Sequence, residues 1–359
     1  MKAIPVDRER IRYAWEGRIS GCQLGKSVEL LSIMEGRESL IAYLKKAKAF
    51  PLRDYVPLIE GTLVATIGRQ SCKEFLHRSE ADDDITYTVL ALMLLEEHGL
   101  ELSTTDVARA WLRLIPGGAI FTAERAAYLT LLERAELGFT YGAQPGFDLA
   151  ECADNEWSEW IGAQIRADLY GWVCPGQPIL AADLARRDAT LSHTGDGVHG
   201  AAFIAALGAA IPASNSISEA IEVASAEVPK TSAAAEAISF GSSLVGKPDA
   251  VDQLHERYRD LPPVHTLNNL ALVVWGLLSG ADDYSAAIGD VVAGGWDTDC
   301  NGATVGGLWG LKGKAIPSSW TAPWQERVAV TIAGVGELKL DALVDRTVMV
   351  AQQLMSAGR

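Results

Sequence analysis

Two short acidic stretches carry the residues best suited to chemistry. ADDDITYT, residues 81–88, places Asp82, Asp83 and Asp84 directly before an apolar-periodic run, and GGWDTDCNGATVGGLWG, residues 294–310, sets Asp297 and Asp299 either side of one threonine among glycines. A single aspartate at a helix start caps free backbone N–H groups and meets the positive end of the helix dipole. Three in succession repel one another, so capping competes here with a second account, a shared cation. Residues two apart in an irregular turn can aim their oxygens at one point, which the same pair inside a helix cannot do. Gly294 and Gly295 give the chain room to turn there. Carboxylate oxygens without clustered histidine or cysteine suit Mg²⁺ or Mn²⁺, and suit Ca²⁺ less. Five carboxylates from two segments carry more charge than one divalent ion needs, so the pattern predicts a pair of ions about 3.5–4 Å apart. On residues alone this is metal-assisted chemistry of no stated kind.

Two other stretches invite chemistry less convincingly. GCQLGKS, residues 21–27, ends like a phosphate-binding loop, but three residues rather than four separate Gly21 from Gly25, and no strand precedes it. The helical account is better: Gly17, Gly21 and Gly25 recur every four residues and draw a line free of side chains along one helix face, where another backbone can approach. HTGDGVH, residues 193–199, offers His193, Asp196 and His199, whose spacing matches no standard zinc set.

The elements that must position these residues are helices. Period-3.6 patterns run over 8–25, 86–98, 105–114, 122–136, 178–190, 198–210, 215–227, 265–279 and 302–311, with proline and glycine breakers between them, and alternating β-patterns are nearly absent. The expected fold is all-α, a single compact multi-helix orthogonal bundle over residues 1–359, since no charge-rich or low-complexity linker divides the chain. The composition, 48% hydrophobic and 21% charged, is that of a globular protein with a substantial core. Five scattered cysteines without a C-x-x-C pair argue against a disulfide framework or a zinc ribbon. A formal charge of −15 without a basic cluster argues against nucleic acid as partner. No membrane span and no signal peptide are expected, which places the protein in the cytoplasm.

Four ordered motifs resemble the ADP-ribosylglycohydrolase family, which includes the dinitrogenase reductase-activating glycohydrolase and the ADP-ribosyl-acceptor hydrolases. GRISGCQLGKSVE (17–29) is similar to the opening glycine-rich helix that ends in a glutamate, and DDDITYT (82–88) to a Thr-Asp-Asp-Thr core. GAQIRADLYG (162–171) and DATLSHTGDGVHGA (188–201) resemble the Gly-x-x-Met-Arg loop and the Ser/Thr-His segment. GGWDTDCNGATVGGLWGLKGKAIPSSW (294–320) is similar to the Gly-Gly-Asp-Thr-Asp-Thr signature, its following helix and Ile-Pro.

The resemblance implies one all-α domain with two central Mg²⁺ or Mn²⁺ ions. It implies that Asp83, Asp84, Asp297 and Asp299 hold the metals, with Asp82 in a position usually threonine and Cys300 in place of the last threonine. It makes Glu29 or Asp84 the general base, and gives Gly162, Arg166 and His193 contacts to ribose and phosphates; Trp296 offers either an aromatic face to substrate or core packing. The implied activity is metal-dependent hydrolysis of a ribosyl glycosidic bond in a small-molecule or protein-linked ADP-ribosyl substrate. The alternatives are hydrolysis of a small N-riboside or nucleoside, and a non-catalytic homologue that binds ADP-ribose or metal.

Overall fold

The structure, a computed structural model, describes residues 3–357, and its elements are overwhelmingly helical. Each helix expected from periodicity is present, often with the cap its sequence offers. Asp82 caps the Asp83–His98 helix, Ser103 and Asp106 form a reciprocal capping box at Thr104–Leu114, and Pro178 opens Pro178–Ala189. Gly99, at φ +55°, ends the Asp83–His98 helix where a side chain would be strained. The fold is an all-α bundle; the described residues add only a two-stranded antiparallel ribbon, Arg327–Ala329 with Glu337–Lys339.

Periodicity does not pick out several helices. Glu29–Lys46 contains Gly36 at φ +80°, which kinks it and breaks the repeat. Tyr284–Gly294 is apolar on most sides, so it lacks the contrast between faces that a periodic reading needs. Leu340–Ala357 closes the described chain and packs on the first helix.

The centre of the bundle is set by the Arg8–Lys26 helix lying antiparallel against Thr298–Gly310. Methyl groups added at Gly17, Gly21 and Gly25 would come within 2.1, 1.9 and 2.1 Å of the carbonyl oxygens of Gly306, Gly302 and Thr298. The relation is mutual, since Gly302, Gly306 and Gly310 face the carbonyls of Gly21, Gly17 and Tyr13. Two glycine lines with a four-residue repeat therefore interlock, and no side chain separates the two backbones. Thr298 Oγ1 donates to the Gly25 carbonyl at 2.8 Å and pins the register at the end where Asp297 and Asp299 lie. All thirteen residues of Thr298–Gly310 are buried.

One expectation needs correction. Gly195–Ala213 is long and apolar enough to cross a membrane by length and composition, although the sequence suggested no such run. It is 72% buried within the protein, as the Ala- and Gly-rich core helix Gly195–Ala210 packed against Pro178–Ala189. The five cysteines are buried and unpaired, in agreement with the absence of a disulfide framework.

Candidate functional site

Asp82, Asp83 and Asp84 and the pair Asp297 and Asp299 meet in space although more than two hundred residues separate them in sequence. Ligand atoms of Asp82, Asp83, Asp84 and Asp299 lie within 4.8 Å of one another, and so do those of Glu29, Asp297 and Asp299. Asp299 belongs to both sets. The glycine interlock explains the meeting, because it brings the start of Thr298–Gly310 beside the end of Arg8–Lys26, one loop before Glu29.

These carboxylates are not equivalent. Asp82 is fully engaged: Oδ1 accepts the Asp84 backbone N–H at 2.9 Å, and Oδ2 accepts from Lys26 Nζ at 2.6 Å. Burial works against its charge, but the Lys26 ammonium and its hydrogen bond hold Asp82 below the usual carboxylate range. Asp84 has no exposed surface; Arg18 Nη2 donates to its Oδ1 at 3.1 Å, and its Oδ2 has no partner. Asp299 Oδ1 is likewise buried without a partner. Burial and then neighbouring acids push Glu29, Asp83, Asp84 and Asp297 well above their ordinary values, and Asp299 to about 6.

Orphaned buried carboxylate oxygens are expensive unless a cation takes them up. An all-oxygen donor set with two such atoms fits a hard divalent ion, which Glu29, Asp83, Asp84, Asp297 and Asp299 are placed to hold. Asp82, expected among the ligands, lies within the cluster, and each of its oxygens already accepts one hydrogen bond. Cys300 sits in the cluster with Asp84 and Asp299, but burial and Asp297 push its thiol well above the ordinary range, and a neutral thiol is a poor ligand for a hard ion.

A cavity of about 680 Å³ opens onto the cluster. Glu29, Asp82, Asp83, Glu124, Asp297 and Asp299 form its acidic part with Cys300 beside them, and Leu30, Ile33, Phe121, Trp160, Ile161 and Pro262 through Val264 give it apolar walls. Gly162 lines it, and only glycine fits there, because a methyl would run into the Glu124 carboxylate.

Arg166 and His193 stand behind the wall. Arg166 is 1% exposed and its donors are spent on Glu124, Asp188, Ser192 and the Gly162 carbonyl, with the Trp111 ring 5.0 Å from its guanidinium carbon. Its guanidinium supports the loop and reaches no ligand space. His193 is buried; its Nδ1 lies 2.8 Å from Ser192 Oγ, and burial followed by Arg166 drives its pKa well down, leaving it neutral. Trp296, at φ +60°, stacks on His255 at 4.1 Å between ring centroids and packs edge-on to Tyr258, outside the cavity lining. Of its two readings, core packing is the one its surroundings fit.

The sequence profile of the ADP-ribosylglycohydrolase family matches residues 4–355, nearly the whole chain. The chain belongs to this family. A solved structure described as an "ADP-ribosylglycohydrolase-related protein complex" shares the fold at a TM-score of 0.51 and 17% identity, covering 97% of this chain and 100% of its own. Among curated proteins nothing matches. Membership supports glycohydrolase chemistry, and in this member of the family three further charged groups organise the site. Arg18, fully buried, also places Nη1 2.8 Å from Asp168 Oδ2 and donates through Nε to Thr88, so it ties the acid helix to the Gly162 region. Lys26 holds Asp82, and Glu124 joins Arg166 to the cavity wall. The only sequence signal for Arg18 is a lone charge inside the glycine-spaced face; nothing local announces Glu124 or Asp168.

Proposed function

We propose that the protein hydrolyses a ribosyl glycosidic bond with the help of two divalent ions, Mg²⁺ or Mn²⁺, and that its substrate is an ADP-ribosylated acceptor. The observation that supports this most is the sharing of Asp299 between two carboxylate sets at one end of a cavity, with Asp84 Oδ2 and Asp299 Oδ1 left without partners. Such ions, when bound, fix vicinal hydroxyls and make water a stronger acid. Glu29, Asp83, Asp84, Asp297 and Asp299 would hold them.

The chain's own groups then divide the work. Arg18 clamps one oxygen of Asp84 and leaves the other free, which fixes the orientation of that ligand. Asp84 has no surface facing the cavity, so of the two candidate bases Glu29, which lines it, is the one placed to take a proton from water. The apolar wall of Leu30, Ile33, Phe121, Trp160 and Pro263 excludes water from the side away from the acids and gives a flat leaving group or base a surface to lie on.

A second reading, a small neutral N-riboside or nucleoside, is favoured by one feature of the same cavity. Its single basic lining residue, Lys26, is already bound to Asp82, and Arg166 is buried elsewhere, so among the described residues no free cationic side chain faces a pyrophosphate. Incubation with Mg²⁺ or Mn²⁺ and ADP-ribosyl-arginine, ADP-ribosyl-serine, O-acetyl-ADP-ribose or a nucleoside panel separates the two: ADP-ribose is the product in the first case, ribose and base in the second. Asp299→Asn is expected to abolish turnover while helical circular dichroism is retained; undiminished turnover would remove the metal mechanism.

A further inference from the structure

The cluster contains one ammonium among its carboxylates. Lys26 closes the Arg8–Lys26 helix, and its Nζ lies 2.6 Å from Asp82 Oδ2; burial opposes its charge, and the surrounding acids, Asp82 foremost, keep it protonated. Asp82 in turn spends its other oxygen on the cap of the acid helix. The remaining carboxylates make no comparable ion pair with Lys26, and two of them present buried oxygens with no partner. The acids of this centre thus separate into Asp82, whose two oxygens both already accept hydrogen bonds, Asp84, which Arg18 holds by one oxygen only, and Glu29, Asp83, Asp297 and Asp299, which pair with no cation among the described residues.

We propose that Lys26 is a resident counter-ion of the metal centre, which withdraws Asp82 from ligation and sets the affinity for divalent cations below what the bare carboxylates would give. The inference rests on the metal reading above. It follows from charge alone: an ammonium in contact with one carboxylate, lining the same cavity as Glu29, Asp83, Asp297 and Asp299, repels an incoming divalent ion and offsets part of the field that attracts it. The same ammonium relieves repulsion among the acids when no metal is present. Lys26 is a positioning residue on this account, and its two effects have opposite sign. Removing its charge destabilises the metal-free protein and strengthens metal binding, whereas an ordinary structural lysine would weaken both when lost.

The test uses Lys26→Met and Lys26→Gln, the second retaining an N–H donor for Asp82 should the first fail to fold. Protein stripped of metal is melted in EDTA and then titrated calorimetrically with Mn²⁺. Each variant is expected to melt below wild type in EDTA and to bind Mn²⁺ at least about tenfold more tightly. Adding Asp82→Thr to Lys26→Met restores the net charge of the cluster and is expected to return both readouts towards wild type. A folded variant that binds Mn²⁺ no more tightly than a wild type that does bind it overturns the counter-ion role and leaves the metal reading standing. Absence of Mn²⁺ binding in wild type and variants alike overturns both.

Discussion

Gly21→Ala is the sharpest probe of how the fold holds the site. The added methyl would sit 1.9 Å from the carbonyl oxygen of Gly302 and 3.2 Å from the backbone nitrogen of Ala303, with no flexible side chain to yield. Relief requires the Arg8–Lys26 and Thr298–Gly310 helices to part by roughly 1 Å or more. Overpacking of this kind costs about 3 kcal/mol, and alanine's better helix propensity returns about 1 kcal/mol. With unfolding entropy of ~2.1 cal/mol/K per residue over 359 residues, each kcal/mol lowers Tm by about 1.3 °C, so the melt should fall by only about 3 °C. The effect on chemistry is larger. Asp297 and Asp299 ride on the displaced helix while Asp83 and Asp84 do not, and metal ligation tolerates about 0.2 Å. Mn²⁺ affinity should fall at least tenfold and turnover by roughly 10². Calorimetric titration beside a thermal melt measures both. A Gly21→Ala protein with wild-type Mn²⁺ affinity would refute the claim that the glycine interlock sets the ligand geometry.

Two further outcomes follow from the buried charges. Arg18→Met leaves Asp84 and Asp168 without their shared cation and should cost about 3–5 kcal/mol, seen as a Tm lowered by about 4–7 °C; the loss should be smaller at pH 5 than at pH 8, because Asp168, pushed to about 6 even beside Arg18, then takes a proton. In EDTA, wild-type Tm should decline as pH rises from about 4 through 6 and beyond. Glu29, Asp83, Asp84, Asp297 and Asp299 all bind protons more tightly folded than unfolded, so the stability they lend is present below their unfolded values and is lost as pH passes their folded ones, about 6 for Asp299. Asp82 acts in the opposite sense but is outnumbered. The rise in Tm on adding Mn²⁺ should grow over the same window, and a flat profile in EDTA would contradict the burial of this cluster.

Much of this was legible in the residues. The four-residue glycine repeat at 17, 21 and 25 announced a close backbone partner, and the structure supplies it in the matching repeat at 302, 306 and 310. The convergence of Asp82 through Asp84 with Asp297 and Asp299 was likewise readable, since mutual repulsion within each group asks for a common cation. What stayed hidden was pairing. Arg166 looks like a phosphate contact until Glu124 and Asp188 are seen around it, and neither is near it in sequence. Asp82 looks unpaired until Lys26 is seen upon it, fifty-six positions away. Trp296 gave no sign of His255, its stacking partner. Side-chain type predicts what a group can do, whereas the identity of its neighbour, fixed by long-range topology, decides whether it is free to do it.

The interlocked glycines also bear on the order of events during synthesis. The Arg8–Lys26 helix leaves the ribosome with its bare face uncovered, and the segment that covers it, Thr298–Gly310, is made some 270 residues later. At ordinary translation speeds of about 5–20 residues per second, that face waits tens of seconds for its partner. Until then Asp297 and Asp299, two of the five proposed ligands, do not yet exist, so a nascent chain has no assembled acid centre with which to capture a cation, and a message truncated before codon 297 yields a protein that never can.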